Sequence, residues 1–150
     1  MVLVRIADIQ DCIGDGIGMG LTVYFSGCSM GCCGCQNPEL QSIEAGYDYD
    51  TDEIIRHLES HRAFYDSLIL SGGDPVEQPE ALLDLLLRSQ VPTVLYTGRY
   101  WGQLNEDVII LADYIKCGPY IKSLKTEGFP ASLNQQVYYH GKPVSKIGEI

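Results

Sequence analysis

Residues 21–40 read LTVYFSGCSMGCCGCQNPEL. The run Leu21–Phe25 is apolar, β-branched and aromatic, the composition of a buried strand. Gly27, Gly31 and Gly34 then loosen the backbone, and Cys28, Cys32 and Cys35 stand in a C-x3-C-x2-C pattern. In parallel α/β sheets, ligands bind at the carboxyl ends of the strands, which is where these cysteines begin. Three thiolates this close can converge on one metal centre. A structural zinc site closes with four ligands, whereas three protein ligands leave one position open for chemistry. Iron–sulfur clusters are held by thiolates in comparably tight loops, usually four of them. Spacing alone leaves two readings: a cluster with one open iron, or a zinc knuckle completed by Cys33 or Cys12.

Outward from this stretch, strand-like and helix-like segments alternate. Strands are predicted at Leu3–Ile9, Leu21–Phe25, Ser67–Leu70, Thr93–Tyr96 and Tyr114–Lys116. A first helix starts near Thr51, capped by Asp50 with Glu53 completing a capping box, and Ile54, Ile55 and Leu58 form its apolar face. A second starts near Pro79, a residue suited to a first helical turn. Its apolar face is expected from Leu82, Leu83, Leu86 and Leu87. A third covers Trp101 to Leu111, with Trp101, Leu104, Val108 and Leu111 on one side. Val137–Tyr139 and Pro143–Ile147, separated by His140-Gly141-Lys142, read as a terminal hairpin. Alternating β and α elements predict an α/β fold of mostly parallel strands with right-handed crossovers.

The 150 residues fit a single domain with a real core. Hydrophobic residues make up 45% and charged residues 20%, both ordinary for a globular protein. No apolar run approaches the ~20 residues that span a bilayer, and MVLVRIADIQD reads as a first strand, not a signal peptide. A cytoplasmic location, with no membrane partner, is the expectation. A formal net charge of −10 argues against nucleic acid as a partner, because binding it needs a basic footprint. Of the six cysteines, Cys12, Cys33 and Cys117 read as small hydrophobes rather than ligands. His57 and His61 share a helix face but complete no metal motif, and with His140 they read as surface residues.

A second glycine-rich stretch, Ser71-Gly72-Gly73-Asp74-Pro75, follows the predicted strand Ser67–Leu70. Taken alone it could be a tight turn, since Gly-Gly and Asp-Pro are turn dipeptides. At a strand's carboxyl end, downstream of the cysteine loop, its glycines would let the backbone approach a ligand closely. Tyr96-Thr97-Gly98 ends the next strand, where the Thr97 hydroxyl could face the same site.

Together these motifs resemble the radical S-adenosylmethionine (SAM) superfamily. The string FSGCSMGCCGCQNPE is similar to that of the glycyl-radical-enzyme activases, particularly those serving the anaerobic ribonucleoside-triphosphate reductase. Tyr96-Thr97-Gly98, Gly118-Pro119-Tyr120-Ile121 and Asn134-Gln135 add to the likeness, which runs from about Ile9 to Val137. The resemblance implies a small open partial (βα) barrel and a [4Fe-4S] cluster held by Cys28, Cys32 and Cys35. It also implies a SAM site that includes Gly34, Cys35, Gln36, Ser71, Gly72, Gly73, Asp74 and Thr97, with Asp74 placing negative charge near the methionine ammonium. It implies no catalytic side chain beyond the cluster and the SAM site. The implied activity is reductive cleavage of SAM to make a glycyl radical on a partner enzyme. That partner would be the large subunit of the anaerobic ribonucleotide reductase, with a low-potential electron donor. Two other functions remain: activation of another glycyl radical enzyme of the pyruvate formate-lyase type, and a non-catalytic zinc or iron–sulfur module. The chain departs from the activases at Asp15-Gly16-Ile17-Gly18, where they carry glycine-proline-glycine followed by an arginine.

Overall fold

The structure is a computed structural model that describes residues 2–29, 42, 44 and 46–150. Its centre is an eight-stranded sheet in the order β3-β1-β2-β4-β5-β6-β7-β8. The strands are β1 (Leu3–Ile13), β2 (Met19–Phe25), β3 (Tyr47–Asp50), β4 (Ser67–Gly72), β5 (Thr93–Tyr96), β6 (Tyr114–Cys117), β7 (Gln136–Tyr139) and β8 (Lys142–Val144). The middle pairs, β2–β4, β4–β5 and β5–β6, are parallel. Both flanks are antiparallel: β3 and β2 pair with β1 on one side, β7 with β6 and β8 on the other. The expected parallel character therefore holds for the middle of the sheet and not for its edges.

The parallel strands follow one another in sequence order without a reversal. The helices between them are α1 (Thr51–Ser60), α2 (Pro79–Arg88) and α3 (Glu106–Leu111). Alternate strand residues show which face they cover. Leu68, Leu70, Leu95, Ile115 and Cys117 join the helix residues Ile54, Leu58, Leu82, Leu85 and Val108 in one buried cluster. Ile69, Val94, Tyr114, Val137 and Val144 form a second cluster on the opposite face. Among the described residues the three α-helices thus pack on one face of the sheet, as in (βα) barrels, whereas doubly wound sheets carry helices on both.

Local chemistry explains where the elements begin. Asp50 caps α1 by accepting from the Asp52 amide at 2.9 Å, but Glu53 pairs with Arg56 instead of closing a capping box. The face of α2 is rotated from the expected one: Ala81, Leu82, Leu85 and Leu86 are buried, while Leu87 is 69% exposed. The expected third helix splits in two. A short 3-10 turn covers Trp101–Gln103, and Asn105 then accepts from the Asp107 amide at 2.8 Å and starts α3 afresh. The terminal hairpin turns through His140 and Gly141, with φ of 45° and 83°, the double positive φ of a two-residue turn.

Candidate functional site

The carboxyl ends of β2, β4 and β5 meet around a cavity of about 720 Å³ on the face opposite the helices. That volume is within the range of small-molecule sites. Cys28, Ser71, Gly72, Gly73, Asp74 and Thr97 all line it. Cys32, Cys33, Gly34, Cys35 and Gln36 lie outside the described residues.

Backbone bonds set Phe25 and Gly27, just before Cys28, against the glycine-rich turn. After β2, Gly27 turns the chain at φ 102°. The Gly73 amide donates to the Phe25 carbonyl and the Asp74 amide to the Gly27 carbonyl, both at 2.8 Å. Gly72, at φ 106°, is the tightest point: a Cβ there would lie 2.4 Å from the backbone N and O of Phe25. The chain approaches β2 so closely that only glycine fits, and the same contact presents the turn beside Cys28.

Asp74 is fully buried and binds three groups at once. Thr97 Oγ1 donates to it at 3.0 Å, the Gly98 amide at 2.9 Å and the Val76 amide at 3.1 Å. Burial pushes its carboxyl pKa up, against the pull of these bonds. The Thr97 hydroxyl is thereby committed to Asp74, and Asp74 ties the turn after β4 to the loop after β5.

Residues that local sequence patterns do not single out complete the frame. Glu77 accepts from the Ser29 amide at 2.7 Å and hydroxyl at 3.1 Å, and from Arg99 at 3.2 Å. The first residue after Cys28 is thus anchored to the segments following β4 and β5. Gln78 donates to the Arg5 and Ser26 carbonyls and accepts from the Arg5 amide, holding the end of β2 to β1. Neither Glu77 nor Gln78 carries a pattern of its own; adjacency to Asp74-Pro75 is the one available signal. Lys116, a charge inside an otherwise apolar strand, also lines the cavity.

The remaining expected residues are placed as follows. Gln135 lines the cavity, and its side chain donates to the Gly118 carbonyl at 3.0 Å. Asn134 donates to the Pro119 carbonyl and the Tyr100 hydroxyl, so both residues brace the Gly118-Pro119-Tyr120 segment. In the departing turn, the Ser67 hydroxyl bonds Ile17 and the Asp66 carboxylate accepts from the Met19 amide, while Tyr96 OH donates to the Asp15 carbonyl. Cys117 is buried, which pushes its thiol up to about 12, and the Cys12 thiol is raised by its bond to Asp15. Raised thiols stay protonated and do not ligate metal readily. His57, His61 and His140 are exposed, and His57 bonds Tyr65 OH at 2.9 Å.

Comparison with known proteins bears on the same stretch. The family described as a 4Fe-4S single cluster domain matches residues 14–138. The chain belongs to that family. An anaerobic ribonucleoside-triphosphate reductase-activating protein of Vibrio cholerae is 30% identical over 139 residues, covering 83% of this chain and 90% of that protein. The protein of the same name from Escherichia coli is 29% identical over 141 residues, covering 83% and 91%. A pyruvate formate-lyase-activating enzyme of Clostridium pasteurianum is 32% identical over 137 residues, 86% of this chain but 57% of its own length. Cys28, the first cysteine of the C-x3-C-x2-C pattern, stands on the cavity wall beside the glycine-rich turn. Among the described residues no helix is long and apolar enough to cross a membrane.

Proposed function

We propose that this chain is a radical SAM activase that makes a glycyl radical on the anaerobic ribonucleoside-triphosphate reductase. The observation that carries the proposal is that Cys28 and the Ser71–Asp74 turn line one cavity. A module that only stored zinc or carried electrons would have no use for the second element. Cys28, Cys32 and Cys35 would hold a [4Fe-4S] cluster. Ser71, Gly72, Gly73, Asp74 and Thr97, with Gly34, Cys35 and Gln36, would line the SAM site. Bound there, cluster and SAM together supply a low-potential electron and, on reductive cleavage, methionine and a 5′-deoxyadenosyl radical able to take a hydrogen atom from a glycine.

The chain's own residues position these groups. Gly72 lets the turn press against β2, Asp74 holds the turn to the Thr97 loop, and Glu77 fixes the start of the cysteine loop. The sheet is read as a small open partial barrel. In support, one cavity is lined by Gly14, Asp15 and Gly16 from the β1–β2 turn and by Lys146 and Ile147 beyond β8. A sheet curved towards a barrel would bring these two segments to one cavity. A low-potential electron donor and a cytoplasmic setting complete the reading.

The choice of partner is supported by the relatives that carry the reductase activase name, from Vibrio cholerae and Escherichia coli at 30% and 29% identity, and by the likeness of Phe25–Glu39 to the reductase activases. The 32% identity to the formate-lyase activase keeps pyruvate formate-lyase as the second reading. Reduced protein and SAM should be incubated with the reductase large subunit or with pyruvate formate-lyase, and the glycyl radical followed by EPR. A radical on the reductase alone is expected. A radical on the lyase alone would reverse the choice, and none on either would reject activation of both.

A further inference from the structure

The start of the cysteine loop is held by a carboxylate that is itself held by a cation. One oxygen of Glu77, Oε2, accepts from the Ser29 amide at 2.7 Å, from the Ser29 hydroxyl at 3.1 Å and from Arg99 Nη2 at 3.2 Å. The pair is largely withdrawn from water, with the Arg99 side chain 21% and the Glu77 side chain 24% exposed. The backbone of Arg99 is fixed on both sides. Its amide donates to Thr97 Oγ1 at 3.1 Å, and its carbonyl accepts from the Gly118 amide at 2.8 Å. Burial dominates the Asp74 carboxyl, and the Arg99 charge is among the weaker influences opposing it, so Glu77 is the carboxylate that Arg99 touches. A carboxylate is a strong acceptor for the two donors of Ser29. It also sets a full negative charge beside the residue that follows Cys28. The potential of an iron–sulfur cluster responds to the net charge around it. Reduction adds an electron, so an uncompensated carboxylate there would make a cluster harder to reduce.

We propose that Arg99 is a positioning residue that acts through Glu77. It keeps the anchor of the cysteine loop electrically neutral, so that Glu77 holds Ser29 without lowering the reduction potential of the cluster. This rests on the cluster proposed above, with Cys28 among its ligands. Holding and compensating are separate tasks of the pair. The holding needs an acceptor oxygen, which a glutamine at position 77 would also present. The compensating needs a cation. Arg99 meets Glu77 through one nitrogen and not as a bidentate fork, so a lysine can supply that charge. At this degree of burial the two charges are only partly screened, and each acts on its surroundings once the other is removed.

The test is a redox titration and needs no turnover. Anaerobically reconstituted protein, without SAM, is poised with low-potential mediator dyes and the reduced cluster followed by EPR. Arg99→Gln leaves Glu77 uncompensated and should lower the midpoint potential. Glu77→Gln leaves Arg99 uncompensated and should raise it. The double variant, and Arg99→Lys alone, should return close to wild type. Iron content and melting temperature show that each variant is folded and loaded. A brace with no electrostatic role predicts otherwise, because loosening the loop from either side would move both single variants the same way. Single variants that shift in the same direction or not at all, or a double variant no closer to wild type than the single ones, would refute the role of Arg99 while the cluster stands. A wild type that takes up no iron would remove the cluster reading, and this inference with it.

Discussion

Replacing Asp74 by alanine should destabilise the protein by about 3 kcal/mol, because three donors lose the acceptor they share. Thr97 Oγ1, the Gly98 amide and the Val76 amide all converge on this fully buried carboxylate. An orphaned buried donor costs about 1–3 kcal/mol. The lower end applies to each, because removing the carboxylate also removes its own desolvation cost. For a chain of this length, 3 kcal/mol lowers the melting temperature by about 6–12 °C. Asp74→Asn keeps one acceptor oxygen and should lose about half as much. The pH dependence has a definite sign. Burial is the largest influence on Asp74 and raises its pKa in the fold. Its contribution is therefore full when it is protonated, below the ordinary carboxylate range, and declines as pH rises through the raised folded value. Asparagine does not titrate, so the stability gap between wild type and Asp74→Asn should narrow as pH rises above the ordinary carboxylate range. Thermal melts give the energies, and hydrogen exchange at Gly98 and Val76 locates them. If Asp74→Ala melts within about 1 °C of wild type with unchanged exchange at both amides, Asp74 does not tie the two loops.

Three further outcomes follow from the same site. Cys28→Ala should abolish cluster binding, whereas Cys12→Ala and Cys117→Ala should retain full iron and sulfide, read by chemical analysis and visible absorbance. Gly72→Ala should cost at least about 2 kcal/mol, since its φ is positive and its Cβ would strike the Phe25 backbone; a melting temperature equal to wild type would contradict that geometry. Glu77→Ala frees Ser29 and Arg99, so a chelator should strip iron several-fold faster at nearly unchanged melting temperature. An unchanged release rate would show that the loop's hold on the cluster is independent of Glu77.

The parallel centre of the sheet was legible because β2, β4, β5 and β6 are short apolar runs, each buried on both faces, bounded by turn residues. β3 was not legible. Its Tyr-Asp-Tyr-Asp sequence places polar side chains on a half-exposed edge, and it owes its existence to pairing with β1. Five leucines within six positions made the face of α2 ambiguous, and the packing of α2 between α1 and α3 resolved it. At the site, Cys28 and Ser71–Asp74 stood out because glycine and cysteine spacing is local. The contacts of Asp74 with Thr97 and of Glu77 with Ser29 and Arg99 span 22 to 48 residues. Such pairs become visible only once the strands stand side by side.

The central claim is that one cavity brings a reducing cluster to SAM. The direct measurement uses anaerobically reconstituted, dithionite-reduced protein, with and without SAM, followed by EPR and by assay of 5′-deoxyadenosine and methionine. The account predicts a reduced-cluster signal that changes on adding SAM, with both products formed in equal amounts. A cluster signal indifferent to SAM and no products, or stoichiometric zinc in place of iron, would contradict it.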